Sequence, residues 1–183
     1  MDEATLNIKI AAPFSNLHRD ETVLVGVSDV WGNILLGAKE GFYPPGIVRL
    51  LGGGIDKGEA PNVAATRELS EELNIAVLQD DHDLEPVAKV SVRATDEHGA
   101  EYNTIIWIFY IDIGDIEVRA GDDVTNVIRM DLLGLRQLAD SYNALSETLW
   151  YKGIEGEFCW ADYGKVYGKV HLLMWEHLTK RLI

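Results

Sequence analysis

Cysteine occurs once in the 183 residues, at Cys159, so no intramolecular disulfide forms and no thiolate-based zinc site can be assembled. A reducing compartment, the cytoplasm, is therefore the expected location. Basic residues are also scarce: 16 Lys and Arg face 30 Asp and Glu, for a formal net charge of −14. A field of that sign repels nucleic-acid backbones and anionic membranes, so neither is an expected partner. It also repels a phosphorylated ligand, unless metal cations or local Lys and Arg reverse the sign inside the site. The acids are spread along the chain rather than gathered in a tail, which reads as a well-hydrated surface. Long apolar runs are missing too. Ile105 to Ile113 is the most apolar stretch, but Asp112 interrupts it and it is too short to span a bilayer. The opening MDEATLNIKI has early acids and no basic n-region, so it does not read as a signal peptide. The five histidines show no ligand spacing; His171 reads as a helix-face residue, and Cys159 beside Trp160 as a small buried hydrophobe.

What the chain does have is apolar residues for a core, 47% of the total, suited to one globular domain over residues 1–183. Thr22 to Asp29 and Asn33 to Gly37 read as a hairpin turning at Val30-Trp31-Gly32, and Ile8 to Ala12 as an earlier strand. Tyr43-Pro44-Pro45-Gly46 is a rigid loop, after which Ile47 to Leu51 forms a short strand entering Gly52-Gly53-Gly54. A helix is expected over Pro61 to Leu73, with Pro61 in the first turn, where no backbone N–H is needed. Leu84 to Thr95 and Tyr102 to Ile113 read as long strands, the second apolar enough to be buried on both faces. Asn126 to Met130 is a last strand, Asp131 caps a helix beginning at Leu132, and Val166 to Leu182 forms a C-terminal helix. Strands, one helix, more strands and terminal helices together predict the α/β class, a mixed sheet flanked by helices.

Chemistry concentrates between Gly53 and Ile75, GGIDKGEAPNVAATRELSEELNI. A glycine triplet lets the backbone approach a ligand closely, with carbonyls free to meet a cation. The helix that follows carries Glu68, Glu71 and Glu72, and spacings of three and four place these carboxylates on one face. Like charges so placed destabilise a bare helix, so a positive partner is expected. Hard Mg²⁺ or Mn²⁺ suits such oxygen donors, and Arg67 can reach Glu71 across one turn. A solvated acidic helix face is the alternative if these glutamates stood alone.

They do not stand alone. The stretch resembles the Nudix box, G-x5-E-x7-R-E-U-x-E-E-x-G-U, where U is a bulky aliphatic residue. Gly53, Glu59, Arg67, Glu68, Glu71 and Glu72 match identically, and Leu69 and Ile75 fill aliphatic positions. At roughly 7% per position, six identities coincide by chance about once in 10⁷ start sites, which decides against a bare acidic helix. Asn74 stands where the family has glycine; of the other residues, Asn best tolerates the left-handed conformation that ends a helix. Ala60 is a poor cap.

The resemblance implies an α/β/α sandwich that hydrolyses a nucleoside diphosphate linked to another group, with Mg²⁺ or Mn²⁺ as cofactor. By position, Glu68, Glu71 and Glu72 would be metal ligands together with the carbonyl of Gly53 or its neighbour. Arg67 would orient a carboxylate, and Glu59 would support the loop or bind metal through water. The general base in the family is a box glutamate, here Glu71, or an acid on a later loop. Asp122 and Asp123 lie on such a loop, although Gly-Asp-Asp is also ordinary turn chemistry; Glu97 and Glu101 flank another. Arg49 and Lys39 are candidates to meet substrate phosphates. Tyr43, Trp107, Tyr151, Trp160, Tyr163 and Tyr167 would stack on a base or fill the core. The segment WADYGKVYGK, 160–169, would close over a ligand or form a helix-entry turn. The expected partner is a small nucleotide-like molecule; dinucleoside polyphosphates, nucleotide sugars, ADP-ribose and oxidised nucleotides all remain open. Homodimers occur among relatives, and the apolar C-terminal helix would serve as an interface or as core. The competing class is a Nudix-fold sensor, whose mark would be a damaged box.

Overall fold

The structure is a computed structural model that describes residues 1–75 and 84–182. In chain order the elements are β1 (Asp2–Lys9), a 3₁₀ turn (Ser15–His18), β2 (Glu21–Ser28), β3 (Ile34–Ala38), β4 (Arg49–Leu50) and α1 (Pro61–Leu73). There follow β5 (Glu85–Thr95), β6 (Glu101–Asp112), β7 (Asn126–Met130), α2 (Leu132–Asn143), β8 (Trp150–Gly153), β9 (Gly156–Cys159) and α3 (Trp160–Arg181).

Seven strands form one mixed sheet in the order β1-β5-β6-β2-β3-β4, with β7 also pairing β3. β1 runs parallel to β5 and β2 parallel to β6; the other pairs are antiparallel. Alternation along β2 divides the side chains between two faces. Val23, Val25 and Val27 pack with Leu69 and Leu73 of α1, while Leu24 lies in the second core with Leu138 of α2 and Val170 of α3. The expected sheet between helical layers is what the chain builds. The apolar side of α3, including Val166, Val170 and Met174, is spent on this core. No described helix is long and apolar enough to cross a membrane.

The strand pairing makes the opening for the site. β2 and β3 pair only at Val27–Leu35 and Ser28–Ile34, next to their turn. Beyond it they part, and the segment through β4 joins both: Leu50 pairs with Leu36, while bridges link Val25 to Leu51 and Thr22 to Gly54. The regular part of this segment is shorter than the expected 47–51, because the glycines bend the chain away from ladder geometry.

Three expectations change. The first strand is Asp2–Lys9, not Ile8 to Ala12: Ala4, Leu6 and Ile8 alternate towards the core with Thr5 and Asn7 between them, after two opening acids. After Lys9 the chain leaves the sheet, and the Ala11 N–H donates to Asp162 at 2.7 Å. Second, α3 begins at Trp160, so WADYGKVYGK is neither flap nor entry turn but the first half of a helix. Gly164 and Gly168 sit where α3 meets α2; an added Cβ at Gly164 would fall 2.1 Å from the Tyr142 carbonyl. Those glycines allow close helix contact, and in the sequence they imitate a turn. Third, residues 150–159 form a separate hairpin, β8–β9, that the strand signals did not reveal.

His171 lies on a face of α3, and there it is fully buried. The Leu50 N–H donates to its Nε2 at 3.2 Å, and Nδ1 faces the Tyr167 carbonyl at 2.6 Å. A backbone N–H can only donate, so the neutral ring with its proton on Nδ1 satisfies both partners and ties β4 to α3. Burial pulls its pKa down to about 4. A group depressed on folding contributes stability above its ordinary pKa, here near 6.5, and loses it as pH falls towards 4. Over that span the loss amounts to roughly 3 kcal/mol. His171→Gln will therefore lose less stability than the wild type between pH 7 and pH 4.5 in urea melts. Equal losses in the two proteins would refute this assignment.

Candidate active site

The site lies where the glycine loop after β4 meets α1. Gly52 has φ +128, and an added Cβ would stand 2.2 Å from the Val23 carbonyl oxygen, so no other residue fits there without backbone movement. Gly53 leaves room for a carboxylate: its missing Cβ would fall 2.6 Å from Glu68 Oε2. The three carbonyls of the loop are engaged. Gly52 O accepts from Arg49 at 2.7 Å, Gly53 O from the Val23 N–H at 2.9 Å and Gly54 O from Arg67 at 2.9 Å. Each keeps a second lone pair.

α1 starts without a side-chain cap at Ala60, with Pro61 opening the helix, and ends at Asn74 in the left-handed conformation, φ 53. Arg67 is the hub of its exposed end. It grips Glu59 through two hydrogen bonds, at 3.0 and 2.9 Å, and reaches Glu68 at 2.8 Å and Glu71 at 3.3 Å. Its main partner is thus Glu59, with Glu71 the longest of these contacts. Hydrogen bonds from Arg67 hold the Glu59 carboxyl below the usual range. Burial raises Glu68 in spite of Arg67. It pushes Glu72 up to about 7, against the opposing pull of Arg49 and of the Gly52 N–H, which donates to it at 2.6 Å.

The loop after β6 reaches the same place by completing the end of α1. The Arg119 N–H donates to the Leu73 carbonyl at 3.0 Å and the Gly121 N–H to that of Glu72 at 2.9 Å, satisfying groups that a helix end leaves open. This docking carries Asp122, itself left-handed at φ 47, and Asp123 to the rim. Lys39, one residue past β3, binds Asp123 and, at 2.9 Å, Glu155 at the tip of β8–β9.

A cleft of about 380 Å³ joins these groups: Glu68, Glu71 and Glu72 line it with Asp122, Asp123, Lys39, Arg49 and the three glycines. Glu59 and Arg67 stand behind this lining. Glu97 and Glu101 are elsewhere, at a β5–β6 turn organised by Asp96, which accepts from His98 and Ala100. Of the aromatic candidates, Tyr43 and Tyr163 reach the cleft, while Trp107, Tyr151, Trp160 and Tyr167 do not line it. Sequence reasoning missed Ser15, Asn16 and Arg19, which line the cleft from the 3₁₀ turn and the residue after it, and Glu155. The pattern Gly153-Ile154-Glu155-Gly156 is a turn signal that would have exposed the last of these.

Among the described residues no three His, Cys, Asp or Glu side chains are already gathered tightly enough to hold a metal ion. The donor set nevertheless fits a hard divalent cation. Two buried carboxylates, disfavoured as anions by their burial, face a space that only a glycine keeps open.

The NUDIX domain model matches residues 18–146, and the chain belongs to that family. Two solved structures agree in fold. The Escherichia coli dihydroneopterin triphosphate pyrophosphohydrolase is 17% identical with a TM-score of 0.51, over 66% of this chain and 86% of that one. The Nudix domain of Shewanella oneidensis NrtR, solved with ADP ribose, is 18% identical with a TM-score of 0.50, over 65% and 77%. A MutT/nudix family protein from Enterococcus faecalis is 21% identical with a TM-score of 0.49, over 61% of this chain and only 43% of its own length. No curated protein sequence matches the chain.

Proposed function

We propose that this protein is a metal-dependent hydrolase of a phosphoanhydride bond in a nucleoside diphosphate joined to another moiety. One observation carries the reading: the buried carboxylates Glu68 and Glu72 share a cleft with the cations Arg49 and Lys39. Glu68, Glu71 and Glu72 would hold Mg²⁺ or Mn²⁺, with a carbonyl of the Gly52–Gly53 turn. Such ions, when bound, polarise a phosphate and lower the pKa of the attacking water. The chain's own groups do the rest. Arg67 fixes Glu68 and Glu71 from behind and is itself fixed by Glu59. Arg49 and Lys39 face the phosphates, and the bound metal cations would offset the carboxylates that outnumber the bases in the cleft lining. Glu71, Asp122 and Asp123 are the acceptors for the water's proton. Lys39 pairs with Asp123 until a phosphate competes for the lysine.

The test is phosphate release, with a coupled phosphatase, from dinucleoside polyphosphates, nucleotide sugars, ADP-ribose and oxidised nucleotides, in Mg²⁺ or Mn²⁺. Turnover of at least one compound, lost on adding chelator, is expected. Binding without turnover across the panel would make the protein a sensor instead. With that substrate, Asp122→Asn or Asp123→Asn will lower kcat far more than it changes KM. Near-normal kcat in both would leave the proton to Glu71.

A further inference from the structure

The inner end of the cleft holds a half-buried cation with no salt bridge among the described residues. Arg49 donates to the Gly52 carbonyl, lies 5.8 Å from the centre of the Tyr167 ring, and has no salt-bridge partner among the described residues. The Glu72 carboxylate attracts it through space but is turned to the Gly52 N–H, so the guanidinium keeps further donors for an incoming anion. Hydroxyls surround it. The Tyr163 hydroxyl is buried and makes no well-aligned hydrogen bond, although the Tyr43 hydroxyl stands beside it. Burial raises both phenols above their ordinary range, which keeps them protonated as donors. Asn16 donates to the Tyr167 hydroxyl and holds that ring under Arg49. Arg49 is aimed by its own strand: the next residue, Leu50, is anchored on the buried neutral His171.

The composition of this recess selects its occupant. One guanidinium and two phenolic donors, with the neighbouring Glu72 carboxylate engaged by the Gly52 N–H, match an oxyanion with several acceptor oxygens. The rings of Tyr43 and Tyr163 pack against Trp160 and Tyr167 as core, at centroid distances of 6.1 and 4.1 Å, so they present edges and hydroxyls rather than an open stacking face for a base. Part of the wall, Asn16 and Tyr163, lies outside residues 18–146 and belongs to this chain's flanking segments.

We propose that Arg49, Tyr43 and Tyr163 form an anion-binding recess that takes one phosphoryl group of the substrate without help from a metal. The neighbouring phosphoryl group is then left facing the carboxylates of α1. This rests on the hydrolase reading for the identity of the substrate, but not for binding itself, which is measured without turnover.

The experiment is calorimetric titration of the full chain with inorganic pyrophosphate in excess chelator. Wild type is expected to bind. Arg49→Gln will weaken binding by about tenfold or more and Tyr163→Phe by several-fold, whereas Glu68→Gln, outside the recess, will bind at least as well as wild type. Thermal melts establish that each variant is folded, and Arg49→Lys, which keeps a charge but not the fork, gives an intermediate affinity if Arg49→Gln does not fold. ADP titrated in competition with pyrophosphate locates the anion: mutual exclusion is expected. Independent binding of the two would overturn the assignment to the substrate's own phosphoryl group. Absence of pyrophosphate binding at millimolar concentration, or equal affinity in wild type and the Arg49 and Tyr163 variants, would overturn the recess. A chain that binds pyrophosphate in this way and hydrolyses nothing would keep the recess and lose the hydrolase.

Discussion

In Glu72→Gln, turnover of the preferred nucleotide falls by at least about a hundredfold, in line with the loss of one electrostatic contributor from a catalytic centre. The fold survives. Glu72 is 4% exposed and accepts the Gly52 N–H at 2.6 Å. Gln has the same volume and presents a carbonyl oxygen to that donor. What it lacks is the charge, which burial already disfavours strongly enough to bring the pKa to about 7. In chelator the variant is therefore at least as resistant to heat as the wild type, since a neutral amide replaces an anion that is costly to bury. Activity and stability thus move in opposite directions, a pattern that a purely structural glutamate does not give. Steady-state kinetics with thermal melts decide it. Turnover within threefold of wild type would remove Glu72 from the chemistry.

Gly52→Ala has the largest expected effect on the fold. The positive φ of +128 is a region open almost only to glycine, and the new methyl group would meet the Val23 carbonyl oxygen at 2.2 Å. That oxygen belongs to the backbone of a central strand and cannot swing away. Strain and overlap together cost about 3 kcal/mol or more. The same movement would pull the Gly52 N–H from Glu72 and its carbonyl from Arg49, so surviving protein should also be inactive. Gly58→Ala is the control. Gly58 has φ +85 but open space around it, so only the conformational term of about 1–2 kcal/mol applies. Urea denaturation of both variants tests the argument, and equal losses would refute it.

The sequence was informative where one local rule governed one stretch. The Gly53 to Ile75 segment predicted a helix from Pro61, an Asn in left-handed conformation at its end, and carboxylates on a common face, because all three depend on near neighbours in the chain. The β2–β3 turn, β7 and the Asp131 cap, whose side chain accepts the Gly134 N–H at 2.7 Å, were legible for the same reason. Features set by distant contacts were not. The parallel pairing of β1 with β5 joins residues more than eighty positions apart, a contact that nothing beside β1 in the sequence announces. Glycines in the first half of α3 are explained by the backbone of α2 and not by anything beside them in the sequence. Glu155 enters the cleft only because the β8–β9 hairpin folds back on Lys39. Arg49 was a candidate to meet a phosphate, but its lack of a salt bridge among the described residues becomes visible only when the whole cleft is assembled.

The cleft draws its two walls from different parts of the chain. Carboxylates come from α1, inside the stretch shared with the family, whereas Asn16, Glu155 and Tyr163 come from segments on either side of it. On the proposed hydrolase reading, part of the ligand wall can then vary apart from the carboxylates, with Arg49 and Tyr43 still inside the family stretch. Substitutions near residues 16, 155 or 163 are then expected to alter which molecule is admitted while leaving the proposed chemistry in place, giving such a scaffold room to change its diet by drift at its margins.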